Sequence, residues 1–152
     1  MSQEATPERA PISAVAASDS SDVRAKRGGS DMAYLDKEIV VVDDDRGILE
    51  SFDAMLGDDY QLVTLDNGFA AIEYVKSHNP KLVFLDIKMP GMNGMEVLKQ
   101  LRQDRVEVAV VIVTATTQNH YESEAAELGI TAYLRKPFDV NEVEDITRRV
   151  LH

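Results

Sequence analysis

The chain has 152 residues, no cysteine and a formal net charge of −11. That length suits one ordinary domain and hardly two, and the absence of thiols excludes disulfides and cysteine nucleophiles, so a reducing cytoplasm is the simplest home. The acidic balance argues against nucleic-acid binding by this chain alone, because phosphate contacts need clustered Lys and Arg.

Residues 1–36 read as a disordered tail. Ala, Ser, Pro and scattered charges dominate, and Arg24-Ala25-Lys26-Arg27 has neither strand nor helix period. Such a stretch cannot bury enough apolar surface to offset an ordering cost of roughly 1–2 kcal/mol per residue. The basic cluster has two readings, contact with a nucleic acid or an anionic membrane, and plain solvation. No basic, apolar leader opens the chain, and its early acids do not suit an organelle presequence.

From Lys37 onward strand and helix signals alternate. Ile39–Val42 reads as a strand, and Ile48, Leu49, Phe52, Met55 and Leu56 mark one face of a helix. Tyr60–Leu65 is a second strand, and Asp66-Asn67-Gly68 opens a helix through Ile72 and Val75. Leu82–Leu85 is the third, then a Pro90–Gly94 loop and a helix lined by Val97, Leu98 and Leu101. Val108–Val113 is the fourth strand and the longest apolar run, far short of the ~20 residues that span a bilayer. A helix over about Asn119–Leu128 follows, closed by Gly129. Thr131–Leu134 is the fifth strand, and Val140, Val143, Ile146 and Val150 mark the last helix.

Alternation of this kind predicts an α/β fold: a doubly wound (βα)5 three-layer sandwich around a parallel sheet. The first, third and fourth runs are continuously apolar, as strands covered on both faces should be. The second and fifth mix in polar residues, so they are predicted to be the edges. In such sheets the functional crevice lies beyond the carboxyl ends of the strands.

Reactive residues fall at those ends. Asp43-Asp44-Asp45 follows the first strand, Asp86 the third, Thr114 the fourth, and Arg135-Lys136-Pro137 the fifth. Two carboxylates ~4 Å apart repel by about 4 kcal/mol at an effective dielectric near 20. Gathering Asp43, Asp44 and Asp86 therefore asks for a cation or a shared proton. All-oxygen ligation without Cys or His favours Mg²⁺. The bland alternative is an acidic turn whose Asp45 caps the next helix. Asp86 is the candidate nucleophile, able to form an acyl phosphate, with Lys136 and Thr114 offering charge and a hydroxyl to the transferring oxygens.

These residues resemble the receiver domain of two-component response regulators. The matching pieces are Val41-Val42-Asp43-Asp44, Leu85-Asp86 with Met89-Pro90-Gly91-Met92-Asn93-Gly94, Thr114-Ala115 and Lys136-Pro137-Phe138. The resemblance covers residues 37–152 and implies a flavodoxin-like (CheY-like) sheet of strand order 2-1-3-4-5. It implies that Asp86 takes phosphate from a histidine kinase, a phosphotransfer protein or a small donor. Asp43, Asp44, Asp86 and the Lys88 backbone carbonyl would surround Mg²⁺, and the Lys136–Pro137 bond would be cis. Thr114 and Tyr133 would form the switch, altering the surface of the fourth helix, fifth strand and fifth helix for a downstream effector protein. The chain would then be a signalling phosphoacceptor that assists its own phosphorylation and dephosphorylation, not a turnover enzyme, with no membrane partner. Lys88 and Thr116, neither an acid nor a carboxamide, predict slow self-dephosphorylation.

Two rival readings remain. One is a pseudo-receiver that never carries phosphate. The other is a haloacid-dehalogenase-type phosphohydrolase with Asp43 as nucleophile, in which Asp86 has no task.

Overall fold

The computed structural model describes residues 37–117 and 119–152; the tail expected over 1–36, with its Arg24–Arg27 cluster, lies outside them. Ten elements alternate along the chain: β1 Glu38–Val42, α1 Arg46–Leu56, β2 Gln61–Leu65, α2 Gly68–His78, β3 Leu82–Leu85, α3 Gly94–Gln103, β4 Ala109–Thr114, α4 Asn119–Glu127, β5 Ala132–Arg135 and α5 Val140–Leu151. The five strands form one sheet in the order β2-β1-β3-β4-β5, and every neighbouring pair is parallel. The two strands with polar interruptions are the edges, as their composition predicts.

Alternate residues of the central strands feed two apolar layers. Val40, Val42, Val83, Leu85, Val110 and Ile112 pack with Ala71 and Val75 of α2, Val97, Leu98 and Leu101 of α3, and Ala125 of α4. Ile39, Val41, Leu82, Phe84, Val111 and Val113 pack on the other face with Phe52 and Leu56 of α1 and Val143 and Ile146 of α5. Burial on both faces is why these strands read as unbroken apolar runs. Phe52 sits between Phe84 and Phe138 at centroid distances of 4.8 and 5.2 Å, tying α1 to the sheet and to the entry of α5. Each such pair contributes about 1 kcal/mol beyond its buried area. No helix among the described residues is long and apolar enough to cross a membrane.

Local chemistry sets the boundaries, and several differ by a residue from the expected ones. Tyr60 is not in β2, because its amide still donates to the Leu56 carbonyl at the exit of α1. Val108 is not in β4: its carbonyl accepts from the Arg102 guanidinium at 3.1 Å. The last turn of α4 closes on Gly129 (φ 76), with Gly129 N donating to Ala126 O and Ile130 N to Ala125 O, so Leu128 is a cap residue. Val140, expected on the inner face of α5, is 47% exposed at the first helical position. The helix starts are capped by Asp45, Asn67, Asn93 and Asp139, and the last two form capping boxes with Glu96 and Glu142.

An acid in the core is unexpected. Glu38 opens β1 in a buried position and accepts from Tyr74 Oη at 2.6 Å and Gln61 Nε2 at 3.1 Å. Burial pushes its carboxyl up, against the Tyr74 hydrogen bond and the charge of His78. A folded-state pKa above the unfolded value means the stabilising contribution is full at low pH and is lost as pH rises through the folded value. Glu38→Gln is therefore expected to raise the unfolding midpoint at pH 7 and to flatten its pH dependence. Thermal melts between pH 4 and 7 check this; a lower midpoint at pH 7 would contradict it.

Candidate functional site

The strand ends that carry reactive residues are held side by side by ladder bonds continuing past the strands. Asp43 N donates to Leu65 O at 3.1 Å, Asp86 N to Val42 O at 3.0 Å, and Lys136 N to Thr114 O at 2.9 Å. These bonds place Asp86 beside Asp43, and Lys136 beside Thr114, at one edge of the sheet. The Lys136–Pro137 peptide bond is cis.

Asp43, Asp44 and Asp86 each offer a carboxylate oxygen, all within 4.8 Å of one another. Asp43 and Asp86 are buried, whereas Asp44 faces solvent. Lys136 Nζ donates to Asp43 Oδ2 at 2.7 Å and lies 3.7 Å from Asp86 Oδ1. The other oxygen of Asp43 accepts from the Asp45 amide at 2.9 Å, fixing that carboxylate as the chain turns into α1. Asp45 itself is the helix cap, accepting from Gly47 N at 2.8 Å, and stands apart from the cluster. Three carboxylates against one ammonium leave two negative charges, which suits a divalent ion with oxygen ligands. Asp43, Asp44 and Asp86 are thus the residues fit to hold one.

Burial is the main cause that pushes the Asp86 carboxyl up to about 6, and the charges of Asp43 and, more weakly, Asp44 add to it. The Lys136 ammonium and the Ile87 amide work in the opposite direction without cancelling them. A carboxylate held in this way is electrostatically uncompensated, the condition under which a cation or an electrophile gains most.

Thr114 is fully buried, with its hydroxyl oxygen 3.4 Å from the Thr116 amide. Tyr133 is half-buried on the layer beneath α4, and its hydroxyl is buried without a hydrogen-bond partner among the described residues. The Arg135 guanidinium lies 5.7 Å from the Tyr133 ring centroid and donates to Thr116 O at 3.2 Å. Lys88, on the loop leaving β3, has its ammonium 6.0 Å from the Tyr121 ring. A cleft of ≈ 380 Å³ separates that loop from α4, lined by Lys88, Met89, Pro90, Asn93 and Tyr121 among others. Met89 and Met95 are buried in the layer beneath, so the methionines around Asp86 are packing residues.

Two residues escape a reading of the sequence, Gly94 beside Asp86 and Arg102 at the opposite margin of the sheet. Gly94 looks like the end of a loop, yet a Cβ there would lie 2.1 Å from the Asp86 carbonyl oxygen. Arg102 looks like a solvated helix arginine, yet it donates to four backbone carbonyls. The glycine's position, directly after Asn93 at a helix start, is the one signal that a close approach was needed. Of the histidines, His78 stacks on Tyr74 and His120 lies against Tyr121. His152 accepts from Lys37 Nζ at Nδ1 (3.2 Å), leaving Nε2 to donate to Tyr60 Oη (3.2 Å).

A family description, the response regulator receiver domain, matches residues 39–148. The sporulation initiation phosphotransferase F of Bacillus subtilis is 34% identical over 118 residues, covering 77% of this chain and 95% of that protein. The DNA-binding transcriptional regulator NtrC of Escherichia coli is 36% identical over 114 residues, covering 73% of this chain but 24% of that protein. The chain spans about half of PhoP, the B. subtilis alkaline phosphatase synthesis regulator, at 31% identity (77% of this chain, 49% of that protein). Among solved structures, a CheY-like receiver domain protein of Methanospirillum hungatei superposes with a TM-score of 0.71 at 25% identity, over 76% of this chain and 93% of that one. The receiver domain of a LuxO repressor protein from Vibrio parahaemolyticus gives 0.72 at 23% identity, over 76% and 89%, a likeness of fold.

Proposed function

The chain belongs to the response-regulator receiver family of two-component signalling, and from that premise we propose that Asp86 is its phosphoacceptor. One observation carries the reading: the Asp86 carboxylate is 4% exposed and flanked by Asp43, Asp44 and the Lys136 ammonium. A carboxylate oxygen of Asp86 attacks phosphorus in line. With a histidine kinase or phosphotransfer protein as donor, the P–N bond of phosphohistidine breaks and its electron pair leaves with the imidazole, which takes up a proton. With a small acyl phosphate, the bond from phosphorus to the leaving carboxylate oxygen breaks instead.

Magnesium, held by Asp43, Asp44, Asp86 and the Lys88 backbone carbonyl, would supply positive charge to the transferring oxygens. Lys136 supplies the second positive charge, moving from its carboxylate partners to a phosphoryl oxygen, a stabilisation made in the transition state. Thr114 donates its hydroxyl to another oxygen of the same group. Lys88 and Thr116 flank the site without an acid or carboxamide to orient water, so the acyl phosphate decays slowly.

Readout follows from Thr114 and Tyr133. As the Thr114 hydroxyl moves to the phosphoryl group, Tyr133 turns inward and its unpartnered hydroxyl finds a new setting. The equilibrium shifts only as far as the phosphoryl group binds one state better. The surface altered is α4, β5 and α5, where a downstream effector protein docks. In this reading residues 37–152 are the receiver, residues 1–36 a tail, and the cytoplasm the place of action. The chain signals rather than turns over substrate, and contacts neither nucleic acid nor membrane by itself.

Incubation with acetyl phosphate and Mg²⁺ is expected to add the mass of one phosphoryl group to the intact protein, and excess EDTA to abolish the gain. A protein that gains no mass with donor and metal present would instead be a pseudo-receiver.

A further inference from the structure

We propose that Arg102 is a positioning residue that pins the C-terminal end of α4, so that the response to phosphoryl at Asp86 is a swing of that helix's N-terminal end about the Leu128–Gly129 corner. This deepens, and rests on, the phosphoacceptor reading. Arg102 stands in the last turn of α3, half-buried. Its Nε donates to Leu128 O at 2.8 Å, and one terminal nitrogen donates to Val106 O at 2.8 Å and Val108 O at 3.1 Å. The other terminal nitrogen reaches Gly129 O at 3.3 Å. One planar fork thus fastens the exit of α4 to the segment that enters β4.

The sequence of α4 makes this outside help necessary. The helix has no basic residue in its last turn to meet the negative end of its dipole. The amides of Gly129 and Ile130 satisfy the Ala126 and Ala125 carbonyls, and those of Leu128 and Gly129, just past the helix, take Arg102 instead. Hydrogen bonds from a charged donor are roughly twice as strong as neutral ones, and a guanidinium serves several acceptors at once where an ammonium is a point charge.

The other end of α4 is held differently. Ala125 is the one fully buried residue described in the helix, and it lies in the C-terminal half. Toward the N-terminus the half-buried Tyr121 rests on the edge of the core layer, and Arg135 reaches Glu122 at 3.5 Å with both side chains about half exposed. Lys99 to Glu124 at 2.8 Å, also at the surface, joins the middle of the helix to α3. Exposed pairs of this type are weak, in the range ~0–1 kcal/mol. The N-terminal end also follows directly on the segment carrying Thr114, the strand-end residue one strand over from Asp86. Strength of attachment therefore rises along α4 from the end nearest the site to the end farthest from it. A helix held in this way turns about its anchored end when the free end is pulled.

Hydrogen exchange followed by mass spectrometry on the full chain tests this, with loading by acetyl phosphate and Mg²⁺ scored separately by intact mass. In loaded wild type, exchange should change over residues 119–123 and stay as it was over 124–130. In unloaded Arg102→Gln, exchange over 124–130 should rise by about tenfold, loading should still occur, and its effect should spread over both segments. Arg102→Lys, which keeps the charge but not the fork, should fall between the two, and this ordering guards against a variant that folds poorly. The proposal is overturned by an even response along α4 in loaded wild type, or by wild-type exchange over 124–130 in Arg102→Gln. Failure of the phosphoacceptor reading shows separately, as absence of the phosphoryl mass, and the unloaded variants still decide whether the pin exists.

Discussion

Asp86→Asn should abolish acetyl-phosphate labelling and, at the same time, stabilise the protein at neutral pH. The first effect follows because the carboxamide is no nucleophile toward phosphorus and carries no charge to draw in a cation. The second follows from linkage. Asp86 is pushed up to about 6 from an ordinary value of 3.8, mainly by burial and next by the charge of Asp43. Its stabilising contribution is full below the unfolded pKa and disappears as pH rises through about 6. At pH 7 the wild type carries an ionised, poorly solvated carboxylate; the variant does not. Removing it should contribute on the order of 2 kcal/mol, or roughly 5 °C in melting temperature for a domain of this size. The advantage should vanish near pH 4, and Mg²⁺ should raise the midpoint of the wild type more than that of the variant. The same variant separates the rival chemistries, since a hydrolase using Asp43 would keep its turnover. A variant that still gains phosphoryl mass, or one that melts lower at pH 7, refutes the assignment.

Gly94→Ala should cost about 3 kcal/mol or more, an unusually large effect for adding one methyl group. The added Cβ would stand 2.1 Å from the Asp86 carbonyl oxygen and 2.9 Å from the Ile87 Cα, both backbone atoms with no rotamer to escape into. Gly94 N also donates to Ile87 O at 2.8 Å, so the start of α3 cannot retreat without breaking that bond. Either adjustment moves Asp86 relative to Asp43 and Lys136. Denaturant unfolding should show the loss of stability, and the labelling rate of the remaining folded protein should drop by about tenfold or more, given how steeply transfer depends on alignment. Gly129→Ala is the control. That residue has a φ of 76 with nothing within 4 Å of an added Cβ, so only left-handed backbone strain of about 1 kcal/mol is expected. Equal stability losses in the two variants would mean the close approach at Gly94 is relieved cheaply.

Much of this architecture could be read from the chain because one physical rule covers both fold and site. Strands buried on two faces must be continuously apolar, so a polar residue at the end of such a run marks the sheet edge. Val42 into Asp43, Leu85 into Asp86 and Val113 into Thr114 obey that rule, and the two acids meet in the structure with Thr114 buried at the end of the next strand. What the sequence hides are matters of approach and partnership. Glu38 reads as a charge outside the strand, but Tyr74 and Gln61 receive it inside. Asp44 reads as the twin of Asp43, yet one faces water and the other is buried. Arg102 has the pattern of any helix arginine, because its four acceptors belong to residues 106, 108, 128 and 129 and meet only in three dimensions. That the buried Tyr133 hydroxyl lacks a hydrogen-bond partner among the described residues is equally invisible in the sequence.

The contact among Lys37, His152 and Tyr60 has an architectural consequence. It brings the start of β1 against the last turn of α5, at the margin of the sheet remote from the acid cluster. Any polypeptide joined ahead of Lys37 or behind His152 is thus launched from one shared corner, next to the last turn of α5. Cargo attached at either point would leave the opposite margin, with Asp43, Asp44 and Asp86, unobstructed.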